Sequence, residues 1–121
     1  MPMVSDDQHV NRKIFTLGEA RELLPTVQQL TAEAVQQAAT LADRLQHLAE
    51  DDPVRDRLGV SLNEVVSGWA GRLQELGLEV KGLWLVDFDN GDGYYCWAYP
   101  EHSLSHYHGY EDGFAGRMTI Q

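Results

Sequence analysis

Three histidines, His102, His106 and His108, fall within seven residues near the C-terminal end of the chain, beside Glu101, Glu111 and Asp112. Imidazole nitrogens and carboxylate oxygens at this density suit a divalent metal ion or general acid–base work. The whole interval between Lys81 and Arg117 contains no Lys or Arg. It holds six acids (Asp87, Asp89, Asp92, Glu101, Glu111 and Asp112), the three histidines and nine of the eleven aromatic residues. With no competing cation, such a region favours a divalent ion of the zinc, iron or manganese type. The competing reading is that acids in turns are merely solvated, and most of these acids do sit in turn sequences.

The elements that must position these residues are β-prone aromatic runs. Residues 83–88 (LWLVDF) and 94–99 (YYCWAY) flank DNGDG, a strong hairpin turn signal. Residues 104–108 (LSHYH) read as a third short strand after the PEHS turn; GYEDGFAGR reads as loop and MTI as a final extended piece. Residues two apart on a strand share a face. Pairing across the first hairpin places Leu83, Leu85 and Asp87 with Tyr94, Cys96 and Ala98. The opposite face carries Trp84, Val86, Phe88, Tyr95, Trp97 and Tyr99. If the third strand pairs so that Cys96 lies opposite His106, then Asp87, Cys96, His106 and His108 share a face. That is an ordinary ligand set for zinc or iron. A one-residue slip would send both histidines to the other side.

Each candidate has a plainer role beside the functional one. His106 and His108 in an H-x-H strand match a metal pair, and equally the alternating polar residues of an edge strand. Cys96 fits a small buried hydrophobe as well as a ligand, and no positive group near it in the sequence lowers its pKa. Asp87, within an apolar strand, requires a hydrogen-bond partner, a cation or an opening to solvent. Arg117 is the first base after thirty-five residues without one, so an ion pair with Asp87 or Glu101 is the expected structural role for all three. Glu101 and Glu111 have the chemistry of an acid or base, with solvation in turns as the alternative.

Ahead of the strands the spacing predicts a helical hairpin over residues 16–77. TLGE forms a capping box, Thr16 with Glu19. Apolar residues then recur at Ala20, Leu23, Val27, Leu30, Ala34, Ala38, Leu41, Leu45 and Leu48, one stripe of a helix reaching about Glu50. Pro25 should kink its first turns. After EDDP, Asp52 caps and Pro53 suits the first helical position. Gly59 is expected to break a short first piece, SLNE to open a second with Ser61 and Glu64, and Gly77 to stop it. The resulting fold class is α+β: a long antiparallel helical hairpin followed by a small three-stranded antiparallel sheet over residues 82–121. Residues 1–13 read as a flexible arm, and 14–121 as a single domain.

At 121 residues, 43% hydrophobic and 23% charged, the chain is expected to fold around one modest core. Nine basic residues against nineteen acids give a formal charge of −10, which repels phosphate backbones and anionic lipid and argues against nucleic-acid and membrane roles. One cysteine excludes an intrachain disulfide and suits a reducing cytoplasm. No signal-like apolar run or span-length stretch occurs, so the expectation is a soluble, cytoplasmic protein. Both sheet faces are apolar or aromatic. One can lie on the hairpin, and the other, rich in Trp and Tyr, is expected to meet a second subunit, most simply in a homodimer, or to wall a pocket. No Walker loop, dinucleotide glycine pattern, G-x-S-x-G elbow or H-E-x-x-H is present.

Taken together, KIFTLGEARELLP, GLWLVDF, YYCWAYPE and YHGYEDGFAGRMTI resemble a bacterial domain-of-unknown-function family, number 2203, over residues 13 to 120. The resemblance places emphasis on Glu19, Asp87, Cys96, Trp97, Glu101, His108, Gly113, Phe114, Gly116 and Arg117. It implies that His102 and His106 are local additions, and moves weight to Asp87, Glu101 and His108. Trp84 is inserted in what is usually GLVDF, and Tyr107 stands where Trp is common. The resemblance implies no activity. Two functions therefore stand. One is a homodimer with a divalent-metal or polar site of Asp87, Glu101, His108 and Arg117, assisted by Cys96 or His106, for which metal-assisted hydrolysis or oxidation is the fitting enzyme chemistry. The other is a non-catalytic module that binds a protein partner or itself through the hairpin and aromatic sheet face, or takes a small molecule.

Overall fold

The computed structural model describes residues 13–121, so the arm expected over residues 1–13 lies outside the described residues apart from Lys13. Among the described residues, two α-helices precede the sheet, α1 (Leu17–Gln46) and α2 (Val54–Glu75). Five strands follow: β1 (Glu79–Gly82), β2 (Leu85–Asp89), β3 (Gly93–Ala98), β4 (His106–Gly109) and β5 (Met118–Thr119). A single 3-10 turn, Phe114–Gly116, lies before β5.

The capping box opens α1. Thr16 Oγ1 accepts from the Glu19 amide at 3.1 Å, and Glu19 Oε1 accepts from the Thr16 amide at 2.9 Å. Such a cap contributes about 1 kcal/mol. Pro25 lies inside α1, which continues past it as one helix and ends at Gln46 rather than Glu50. Asp52 Oδ1 accepts from the Val54 amide at 2.9 Å at the start of α2. The break expected at Gly59 does not occur, and the Ser61–Glu64 capping box does not form, because α2 runs through both as one helix. A single glycine costs a helix only about 1 kcal/mol relative to alanine, less than packing on α1 supplies. Gly77 does end the hairpin, at φ +91°, a conformation that L side chains rarely adopt.

The sheet is an antiparallel meander in the order β1-β2-β3-β4-β5, with five strands rather than three. The two extra strands are the edges. β1 (EVKG) is too short and polar to show alternation, and β5 pairs through two residues only. Leu83 and Trp84, expected to begin a strand, instead turn the chain between β1 and β2. Trp84 holds φ at +60°, which is unfavourable for a bulky residue. Its ring meets Trp69 edge-on at 4.8 Å and its carbonyl accepts from the Tyr99 amide at 3.0 Å.

One sheet face supplies Val86, Phe88 and Trp97 to a core completed by Ala20, Leu24 and Val27 of α1 and by Leu73 of α2. Each large side chain buried this way contributes about 1.5–3 kcal/mol. The Trp- and Tyr-rich face is therefore the one laid on the hairpin, a correction to its expected place at a subunit interface. Aromatic bulk fills the space between two helices and a sheet more readily than the Asp, Cys and His side chains opposite. The hairpin reaches beyond this core: past Ala34, the residues Ala38, Leu41, Leu45 and Leu48 are only half-buried. No helix among the described residues is long and apolar enough to cross a membrane.

Candidate metal centre

Strand register builds the site. Asp87 pairs with Cys96, Cys96 with His106, and Tyr94 with His108. All five residues share the sheet face turned away from the helices. From β4, His108 reaches diagonally over β3 to Asp87 on β2. Close approach of β3 and β4 depends on Gly93, where an added Cβ would stand 2.5 Å from the His108 carbonyl oxygen. The turn after His108 is held by Asp112, whose Oδ2 accepts from the Gly109 amide at 3.0 Å.

Three potential ligands converge. One donor atom from each of Asp87, Cys96 and His108 lies within 4.8 Å of the others, and the three residues are 1%, 0% and 4% exposed. His108 Nδ1 lies 2.8 Å from the Gly109 carbonyl, which can only accept, so Nδ1 carries its hydrogen. Nε2 is thereby aimed at Asp87 Oδ2, 3.0 Å away. A backbone carbonyl fixing the far nitrogen is the usual support of a metal-binding imidazole. The other carboxylate oxygen, Asp87 Oδ1, is buried with no hydrogen-bond partner among the described residues. Burial pushes the Asp87 carboxyl above the ordinary carboxylate range, against the opposing pull of His108, Cys96 and Lys81. The Cys96 thiol is pushed up to about 12, first by burial and then by the Asp87 charge, with the charge and hydrogen bond of Arg117 pulling the other way.

Glu101 and Arg117 form a second group beside the first. Arg117 Nη1 and Nη2 donate to Glu101 Oε1 and Oε2 at 3.1 and 2.9 Å, and Glu101 Oε1 also accepts from the Ala98 amide at 2.9 Å. Burial raises the Glu101 pKa, but Arg117, the Ala98 amide and His106 outweigh it, so the carboxyl ends below its usual range. His106 Nδ1 stands 3.8 Å from Glu101 Oε2. The face thus joins Asp87, Cys96 and His108 in one cluster, while Glu101 turns to Arg117. His102 is exposed on the loop, where its carbonyl accepts from Gln28.

Tyr94 has a part in the site that sequence reasoning passed over. Its ring covers His108 at 5.4 Å and meets Tyr110 edge-on at 5.1 Å, and its hydroxyl donates to Glu79 at 3.0 Å. Its parity with Cys96 was readable, but its covering role depends on β1, which the sequence did not disclose.

The arrangement is poorly built for nucleophilic catalysis. His108 is turned to Asp87 and Gly109, and burial disfavours the Cys96 thiolate that would be the nucleophile. It suits a soft-to-borderline divalent ion, since carboxylate, thiolate and imidazole are all zinc or iron ligands.

No curated protein and no solved structure matches the chain. A family model described as "Uncharacterized conserved protein (DUF2203)" matches residues 13–120. The chain belongs to that family.

Proposed function

We propose that the protein binds a divalent transition-metal ion through Asp87, Cys96 and His108. The observation that carries this reading is that one donor atom from each of Asp87, Cys96 and His108 lies within 4.8 Å of the others, while Asp87 Oδ1 is buried without a hydrogen-bond partner among the described residues. Leaving one carboxylate oxygen buried and unsatisfied costs about 1–3 kcal/mol unless a cation or proton compensates. Asp87 and Cys96 as anions balance a 2+ ion while His108 stays neutral, so the loaded site carries no net buried charge. Zinc, iron and manganese were the candidates from composition; the thiolate favours zinc or iron over manganese. Glu101 and Arg117 neutralise each other and serve as the polar wall of the site. The test is titration of tag-free protein with zinc against a chromophoric chelator. Binding that Asp87→Asn and His108→Ala each abolish supports the reading; binding unchanged in both variants counts against it.

The half-buried apolar stripe of the distal hairpin favours a second, compatible role in assembly. A groove of ≈ 550 Å³ between the helices is lined by Leu30, Leu41, Val65, Trp69 and other residues. Glu33, Glu64 and Arg72 also line it, so a twofold can set each Arg72 against a partner carboxylate. The proposed occupant is a second copy, giving a homodimer. Sedimentation equilibrium should find a dimer that Leu41→Glu dissociates; a monomeric wild type would end this part. With −10 formal charge and one unpaired cysteine, a cytoplasmic protein that does not bind nucleic acid is the reading that fits.

A further inference from the structure

A tetrahedral ion on Asp87, Cys96 and His108 lacks one ligand, and we infer that His106 supplies it, closing the site with protein on all four sides. The inference rests on the metal-binding reading above and adds the residue that decides whether the ion has an open position.

His106 is placed for the part by the backbone. Its Cα lies directly opposite Cys96, and it precedes His108 by two residues on the same strand face. No shift of β4 is needed for both imidazoles to project to one side. In the described conformation the ring stands outside the 4.8 Å group, so side-chain rotation must bring a nitrogen to the ion.

Among the described residues the ring is held by one long ion-pair contact, to Glu101. His106 Nδ1 is buried without a hydrogen-bond partner among the described residues. The nearest acid oxygen, Glu101 Oε2 at 3.8 Å, is beyond hydrogen-bond distance. Both Glu101 oxygens are already taken by Arg117 and the Ala98 amide. A buried, unsatisfied ring nitrogen beside a three-donor cluster is the kind of exception that an ion explains.

The other neighbours are committed elsewhere. Recruiting Glu101 would break its bidentate pair with Arg117 and add a negative charge to a balanced site. The Tyr94 hydroxyl serves Glu79, and Asp89 accepts from Tyr110 at 2.7 Å. The three donor residues are almost wholly buried, and the His106 side chain, 31% exposed, stands between them and solvent. The hollow of ≈ 360 Å³ that His108 helps to line also involves Tyr95, Tyr107 and Met118, which belong to the opposite face. Four protein ligands and no open position define a structural site. Such an ion would tie β2, β3 and β4 together, and its binding would release the Cys96 proton.

Cobalt(II) titration of the full chain tests this. Wild type should develop strong visible bands of tetrahedral cobalt together with a near-ultraviolet thiolate band. His106→Ala should keep the thiolate band, lose visible intensity as water replaces the ring, and bind about tenfold or more weakly. His102→Ala should behave as wild type. If His106→Ala does not fold, judged by circular dichroism, His106→Gln takes its place with the same readouts. Visible bands and affinity unchanged in the His106 variant would overturn the fourth-ligand assignment while leaving the three-donor site intact. Wild type that binds no cobalt would overturn both.

Discussion

His108 Nε2 lies 3.0 Å from Asp87 Oδ2 across β3, with both residues buried and the His108 Nδ1 hydrogen on the Gly109 carbonyl. Two acceptor groups therefore flank one imidazole. The Nε2–Oδ2 contact requires a shared proton, or a metal ion in the proton's place.

Removing either partner strands the other. His108→Ala leaves the Asp87 carboxyl buried without its imidazole, and the expected loss of stability is about 3–5 kcal/mol in urea unfolding with chelator present. The double variant Asp87→Asn, His108→Ala should lose less than the sum of the single losses, because the stranded charge is gone. Strict additivity would show that the two side chains do not act as a pair.

The Cys96 thiol gives the stability curve an alkaline limb. Its pKa is about 12 in the folded chain against an ordinary 9.0, so between those values the unfolded chain has lost the proton and the folded chain retains it. Stability then falls as pH rises above 9, with a slope of up to about 1.4 kcal/mol per pH unit from this group. Cys96→Ala should flatten the metal-free curve over that window. Native protein should also leave a thiol reagent unreacted until it is unfolded.

Glu101 acts on the acid side with the opposite sign. Its folded pKa lies below the ordinary 4.5. Its contribution is whole above pH 4.5 and is lost below it, as the unfolded chain takes up the proton first. Arg117→Gln should weaken this acid-side dependence and lower stability at pH 7. Arg117→Lys should restore only part of it, since lysine cannot reproduce the two parallel bonds. An acid limb unchanged in Arg117→Gln would mean that the pair contributes nothing.

Much of this arrangement is legible in the residues themselves. Period-two parity puts Asp87 and Cys96 on one face for either two-residue turn that DNGDG allows, Asn90-Gly91 or Gly91-Asp92, and the structure has the second, with the Asn90 amide donating to the Gly93 carbonyl. The Thr16–Glu19 box marked the start of α1. The β3–β4 register was conditional in the sequence, because His106 and His108 alternate with Ser105 and Tyr107 and no apolar pattern chooses between faces. Gly93, which admits β4 closely, and the Asp112 bond to Gly109 resolve it in three dimensions. The family resemblance groups Glu101 with Asp87 and His108, whereas charge alone offers Arg117 either Asp87 or Glu101 as its partner. The structure has the Glu101–Arg117 pair of those two. β1 and Trp84 were opaque for a different reason: a four-residue polar edge strand and a two-residue turn carrying a bulky residue at positive φ both run against local propensity, and tertiary packing overrides it.

The most direct test is metal content. Tag-free protein incubated with zinc, passed through a desalting column and analysed by plasma mass spectrometry should retain about one ion per chain, and Asp87→Asn should retain almost none. Retention below roughly a tenth of an ion per chain by folded wild type, with an unfolding temperature that zinc, iron and manganese all leave unmoved, would contradict the assignment of Asp87, Cys96 and His108 as a metal site.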